Sequence, residues 1–450
     1  MRKLGEIWRS WSVRRRALTV AAVLAVLAVG GVLAYNVLKR PPDVSNPDAD
    51  FVKKDLPEPK ERKPKDLTVN WPTYGFSNAR TRYFPTQLVK PPFRNSDWSI
   101  QFGKLLEFSP IIVDDVIYVM DIDARFYAID AEKGKIIWKN KIGDLNATSP
   151  AFSKGRLFAT NLGPGQAVSL RARDGKVLWK TPIPGRSESS PVVFRHRLVI
   201  FGCECGTVFG LNAKSGKIEW QFDTAGEIKG ALALDHGTVY GGNYAGEAFA
   251  IKADSGKQVW RSTTSGGSFG RGGGIYSTPA VAYGRVYLGS IDSRVYSLDQ
   301  ETGSIAWSTS TGAEVYSGPA VANPKGADPT VFIGSADGII YALDAKTGAT
   351  RWTQPAGGQV TGAGSVIGDV FYVSVIGEGV GTLGFDTATG KKVYEHDTGE
   401  YNPAITDGRR LYLTGYSTLR AFRPLTPEAK RKQRRKEEAD KKGGGKKRGG

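Results

Sequence analysis

Cysteine and histidine are scarce in this chain of 450 residues, with two of the first and three of the second. His196, His236 and His396 fall in different parts of the chain, so a metal site at the cysteines would need further ligands from elsewhere. Both cysteines sit in one turn, Gly202-Cys203-Glu204-Cys205-Gly206. Three readings stand open there: an incidental structural pair, a redox or disulfide hairpin strained by its single intervening residue, and a ligand site. No cysteine follows the apolar N-terminal stretch, which excludes a lipid-attachment site at that place. The stretch 39–66 lacks the apolar residues needed to offset ordering entropy, and so reads as an extended spacer rich in proline and charge.

What the sequence does have is a repeat. An apolar strand, a small-residue turn, a second strand ending near Asp, a glycine hairpin and an aromatic recur, the aromatics being Trp138, Trp179, Trp220, Trp260, Trp307, Trp352 and Tyr394. An orphan Trp98 stands one period upstream, and from it the steps are 40, 41, 41, 40, 47, 45 and 42 residues. A period near 40 with room for four short strands is the signature of a β-propeller. Hairpin glycines such as Gly134, Gly216 and Gly348 keep a constant offset of four residues before the aromatic, which loop composition alone does not explain. Ser/Thr-rich steps into Pro or Ala, as at Ser109-Pro110, Ser149-Pro150 and Thr278-Pro279, announce an innermost strand, so strands run A to D from channel to rim. After Tyr394 only three strands remain, and the strand holding Trp98 is expected to complete the last blade and close the ring. The expected fold is all-β: an eight-bladed propeller of four-stranded antiparallel blades over 67–426, preceded by one N-terminal transmembrane helix.

The units Tyr127-Ala-Ile-Asp-Ala-Glu-Lys-Gly134 to Trp138 and Tyr341-Ala-Leu-Asp-Ala-Lys-Thr-Gly348 to Trp352 carry a family resemblance, as does the entry Trp71-Pro-Thr-Tyr-Gly75 with Thr81-Arg-Tyr83. They resemble the PQQ-like eight-bladed propellers, which include quinoprotein dehydrogenases and the BamB-type proteins of outer-membrane barrel assembly. A WD repeat is disfavoured, because no aromatic of the series is followed by Asp. The resemblance specifies fold and leaves function open, since one propeller hosts unrelated activities. It implies two functions. One is a BamB-like interaction scaffold needing no cofactor. The other is an enzyme oxidising alcohols or sugars with pyrroloquinoline quinone and Ca²⁺. Quinoprotein alcohol dehydrogenases carry an adjacent cysteine pair near the cofactor, whereas Glu204 separates the pair here, and no motif-matched aspartate base is found. The scaffold is the preferred reading and enzymatic activity is not expected.

The ends set the expected compartment. Residues 17–38 contain 22 residues without a charge, and at about 1.5 Å rise each a helix of them spans roughly 30 Å of hydrocarbon. Arg2, Lys3, Arg9, Arg14, Arg15 and Arg16 upstream place 1–16 in the cytoplasm and the propeller outside, in a single-pass membrane protein. A cleaved signal peptide is the competing reading, and it exports the propeller too. Of the net charge of +18, residues 1–66 carry +6 and 427–450 carry +7, leaving +5 on the 360 residues between. The tail 427–450 reads as disordered and polybasic, suited to anionic lipid or a cell-wall polyanion, and no nucleic-acid partner is expected.

Alternation of strands puts the B-to-C and D-to-A turns on one face, together with the Cys203–Cys205 turn, the glycine-rich insertion 266–274 with Phe269 and Arg271, and the hairpin 376–379. That insertion is no phosphate loop, because no helix follows it. This face is expected to bind the protein partner. Glu107, Glu188, Glu227, Glu314 and Glu400 precede innermost strands, with Asn146 and Gln359 in related positions. They suggest an acidic collar at the channel mouth that holds a cation or meets a basic segment of a partner. Solvated loop carboxylates are the alternative.

Overall fold

Each period of the sequence folds into one antiparallel sheet of four strands, and eight sheets follow one another in the computed structural model, the seventh gaining a fifth, parallel strand from Tyr83–Phe84. It describes residues 12–38, 42–52, 69–264, 273–323, 328–377 and 381–426, with 428, 429, 431, 432 and 435. Blade one runs Ile111–Val113, Val116–Met120, Arg125–Asp130 and Lys135–Lys141 as strands A to D, and blades two to seven repeat the order. Blade eight takes strands A to C from Ile405–Thr406, Leu411–Thr414 and Thr418–Phe422 and its D strand from Trp98–Gln101, with Trp98 opposite Ala421. The expected closure of the ring by Trp98 is therefore the observed one.

The constant distance from glycine to aromatic has a packing cause. Each tryptophan lies against the hairpin glycine of the next blade, where a Cβ would come within 2.5–2.8 Å of the indole for Trp98 on Gly134, Trp138 on Gly175, Trp179 on Gly216, Trp220 on Gly256, Trp260 on Gly303, Trp307 on Gly348 and Trp352 on Gly390. Six of the indole N–H groups then donate to a carbonyl just past strand C of that next blade: Ala131, Ala172, Ala213, Gln300, Ala345 and Thr387, at 2.9–3.1 Å. Trp220 keeps the stacking without that bond. The repeated phrase is thus a rivet between neighbouring blades.

Two further segments were not expected in this form. Residues 69–84 run inside the ring as a girdle, bonding through backbone or Asn78 to the middle residue of strand A in blades one to seven in turn: Ile112, Phe152, Val193, Leu234, Val281, Val321 and Val366, at 2.6–3.0 Å. Residues 43–52 lie on blade five. Val44 and Ser308 exchange bonds of 2.9 and 3.0 Å, Asn46 N–H donates to Ala306 at 2.8 Å, and Phe51 stacks on Tyr283 at 5.2 Å. Asp43 adds an ion pair to Arg294 at 3.3 Å. This part of the expected spacer is fixed because the outer strand Ile305–Ser310 offers an open edge that a short extended segment can satisfy. Trp307 beneath it is consequently 1% exposed.

Residues Val13–Leu38 form an α-helix, which is a unit separate from the propeller. Among the described residues no helix is long and apolar enough to cross a membrane. Parts of the expected 1–16, 39–66 and 427–450 segments, and residues 265–272 with Phe269 and Arg271, lie outside the described residues, as do 378–380.

Candidate functional site at the channel mouth

The Ser/Thr steps before strand A are joined to one another around the mouth. Ser149 donates to the Ser109 carbonyl at 2.7 Å and Ser277 to the Ser317 carbonyl at 2.9 Å, while Ser190 Oγ accepts from Ser149 N–H at 2.9 Å. This hydroxyl belt holds the strand entries in register from blade to blade. Inside it lies a cavity of about 350 Å³ lined by the entries of blades one, four, five, six, seven and eight. Five tyrosines and one phenylalanine dominate its wall: Tyr74, Tyr244, Tyr276, Tyr316, Tyr401 and Phe108. Tyr74 comes from the girdle, so the cavity is a cup with the girdle on one side.

Behind Tyr74 stand two fully buried arginines, Arg80 and Arg82, 5.6 and 5.0 Å from its ring centre. Arg80 spends its donors on the carbonyls of Leu232, Ser190 and Pro191 and on the Thr73 hydroxyl at 2.8–3.1 Å, with Tyr74 O as a further acceptor. Burial, and then the neighbouring Arg82 charge, lower its pKa to about 9. Arg82 bonds the carbonyls of Arg80 and Pro319 at 2.9 Å. The pair ties girdle to blades three, four and six.

One cation is already seated in the cup. Lys229 Nζ lies 3.9–4.0 Å from Glu188, Glu204 and Glu227 and 5.4 Å from the Tyr244 ring centre. Glu188 also accepts from the Tyr276 hydroxyl at 3.2 Å. Burial pushes the Glu188 carboxyl up to about 7, with Glu204 adding to the effect and Lys229 opposing it. Glu107 lines the cup, and burial alone raises its pKa. Glu314 is exposed beside Tyr316, and Glu400 sits beside Tyr401, in each case lifting the phenol further than burial does alone.

The five carboxylates read from the sequence therefore stand in different settings. Glu188 and Glu227 gather on Lys229, Glu107 faces the cup, and Glu314 and Glu400 flank wall tyrosines. Asn402, whose side chain donates to the Leu106 carbonyl at 2.7 Å, fixes the backbone beside Glu107. Lys229, Glu204 and the tyrosines are what sequence reasoning missed. Lys229 stands in place of a Ser/Thr before Gly230-Ala231, and that departure from the repeat was the available signal. Cys203 and Cys205 are joined in a disulfide, and the turn that holds them brings Glu204 to the mouth.

Closed ring, blade geometry and channel mouth together define a PQQ-like eight-bladed propeller. The chain belongs to the family described as outer membrane protein assembly factor BamB, whose model matches residues 94–221 and 204–426. Its fold is similar to that of BamB from Moraxella catarrhalis, at 20% identity and TM-score 0.60 over 74% of this chain and 98% of that one. It is also similar in fold to a quinohemoprotein alcohol dehydrogenase of Pseudomonas putida HK5, at 15% identity and TM-score 0.67 over 80% and 82% of the two chains. In sequence, 119 residues are 29% identical to the 1-butanol dehydrogenase (cytochrome c) of Thauera butanivorans, covering 23% of this chain and 17% of that protein.

The described residues at the mouth show no donor set for the divalent cation that would hold a quinone. Among the described residues no three His, Cys, Asp or Glu side chains converge as a metal donor set. Where three carboxylates do approach one another, at Glu188, Glu204 and Glu227, an ammonium fills the centre.

Proposed function

We propose that this protein is a membrane-anchored, extracytoplasmic scaffold whose channel-mouth face receives a protein partner, as a BamB-like propeller would. The observation that carries this reading is Lys229 at the centre of the carboxylates. Three of the carboxylates at the mouth, Glu188, Glu204 and Glu227, are spent on an internal ion-pair cluster, while the tyrosine wall beside them is left to make contacts. Tyrosine supplies large contact area at low entropic cost and suits recognition surfaces. The uncharged 17–38 stretch and the arginines before it support anchoring with the propeller outside the cytoplasm, and the polybasic 427–450 tail supports a second, electrostatic hold on anionic lipid or cell-wall polymer.

The test has two arms. Full-length protein should stay with membranes through a carbonate wash and be released when 1–38 is deleted; release of the full chain would sink the anchor. Purified protein mixed with pyrroloquinoline quinone and Ca²⁺ should show no stoichiometric quinone absorbance and no alcohol-dependent dye reduction. A stoichiometric signal with turnover would establish the second reading, a quinoprotein dehydrogenase, which the shared fold with such enzymes keeps in play.

A further inference from the structure

Among the described residues the cup holds two carboxylate and aromatic corners, and one of them contains a cation of the chain's own. At the first, Lys229 sits among Glu188, Glu204 and Glu227 and over the Tyr244 ring. At the second, Glu107 shares the lining with Phe108, Tyr276 and Tyr401 and acts electrostatically on both tyrosines. Its carboxylate has no hydrogen bond or ion pair among the described residues, and burial is the sole cause of its raised pKa. A half-buried carboxylate facing a cavity without a partner is costly, and aromatic faces beside it favour a cation. Neither arginine pairs with it: Arg80 spends its donors on carbonyls and the Thr73 hydroxyl, and Arg82 bonds two carbonyls through Nη1 while its buried Nε and Nη2 have no partner among the described residues. Lys229 shows what such a corner does when a basic side chain reaches it.

We infer that the Glu107 corner of the cup is an anchor for a basic side chain, arginine or lysine, presented by a partner protein. The inference deepens the scaffold reading and rests on it for the partner. The cavity of about 350 Å³ accommodates one long side chain with part of its backbone, and the walls contribute cation–π contact while Glu107 supplies the charge-assisted bond. A neutral isostere of the same shape keeps the apolar contact and loses the rest.

The experiment titrates the full-length protein with Nα-acetyl-arginine methyl ester, following heat or tyrosine fluorescence, against the citrulline analogue and against benzoate. The arginine ester should bind about tenfold more tightly than the citrulline analogue, and Glu107→Gln should erase that difference. Because Glu107 makes no hydrogen bond or ion pair among the described residues, Glu107→Gln should leave the melting temperature at or above that of the wild type, which separates loss of binding from loss of structure. Equal binding of ester and analogue, preference for benzoate, an unaltered difference in Glu107→Gln, or displacement of the ester by micromolar Ca²⁺ would each overturn the assignment. Failure here with a partner still captured at the cup leaves the scaffold standing. Capture failing while the ester binds overturns the scaffold and keeps the cation site.

Discussion

At the rim, Trp138, Trp179, Trp260, Trp307 and Trp352 each make the same bond to the same place in the following blade. At the mouth no such uniformity exists. Blade one supplies Glu107 and Phe108, blade four Lys229 and Tyr244, blades five and six Tyr276 and Tyr316, blade seven Thr361 to Ala363, and blade eight Tyr401 and Asn402, while blade three reaches the cup only through Glu188 and Glu204 around Lys229 and blade two supplies none of the lining. Uniform contacts make a ring that closes, and each rivet is interchangeable with the next. Varied contacts make a surface with one address on it. A substitution at the rim is therefore expected to be read as stability, and one at the mouth as binding.

The largest effect that would break or sharpen this contrast is Trp307→Ala. Trp307 is the most buried of the series and carries both a rivet and the 43–52 segment. Urea unfolding should show a loss of about 4 kcal/mol, against less than about 1 kcal/mol for Tyr401→Ala at the mouth, where the ring is 36% exposed. Equal losses would remove the distinction. Next comes Gly348→Ala. The φ of +75° and the indole 2.7 Å from a Cβ oppose it together, and a cost of about 1–2 kcal/mol is expected from the backbone alone. The same substitution at Gly155, with φ +73° and nothing near the Cβ, isolates the backbone part of that cost.

A smaller effect is expected for Asp43→Ala. Its ion pair with Arg294 is half exposed on the carboxylate side, so about 1 kcal/mol or less is expected in global stability. Limited proteolysis within 43–52 should nonetheless quicken, and an unchanged cleavage rate would show that the backbone bonds to blade five hold the segment without it.

The smallest is a pH effect at Glu188. Its folded pKa, about 7, lies above the ordinary 4.5, so the folded state holds an extra proton between those values. Stability from this group is present below pH ~4.5 and is lost as pH rises through 7. Glu188→Gln should flatten the fall in melting temperature across that window, and a wild-type slope in the variant would assign the effect elsewhere.

The sequence made the rim legible because a rivet needs two residue types at a fixed distance. Trp must meet a Gly with positive φ, and the orphan Trp98 revealed the closing strand by the same rule. The girdle was not legible: it bonds the strands mostly through backbone groups, which any side chain permits, and the motif around Trp71 and Tyr83 advertised a family without saying what it touched. The 43–52 segment shared its composition with a solvated spacer and was fixed by an edge that only the folded blade creates. At the mouth the glutamates were visible because they precede strands at related positions. The tyrosines were not, since Tyr276 and Tyr316 stand three residues before a proline, Tyr401 two, and Tyr244 on a B-to-C turn. Tyr276 and Tyr316 share the blade period, but Tyr244 and Tyr401 break it, so the wall as a set does not recur.

Photo-cross-linking in intact cells, from a benzophenone amino acid at Tyr401 in the cup or at Ile137 on the exposed rim of blade one, compares the two regions in one measurement. Both positions are open to solvent, at 36% and 52%. A discrete protein partner captured from Tyr401 and absent from Ile137 is the expected result. Capture of the same partner from Ile137 with none from Tyr401 would move the functional surface to the rim and contradict the account.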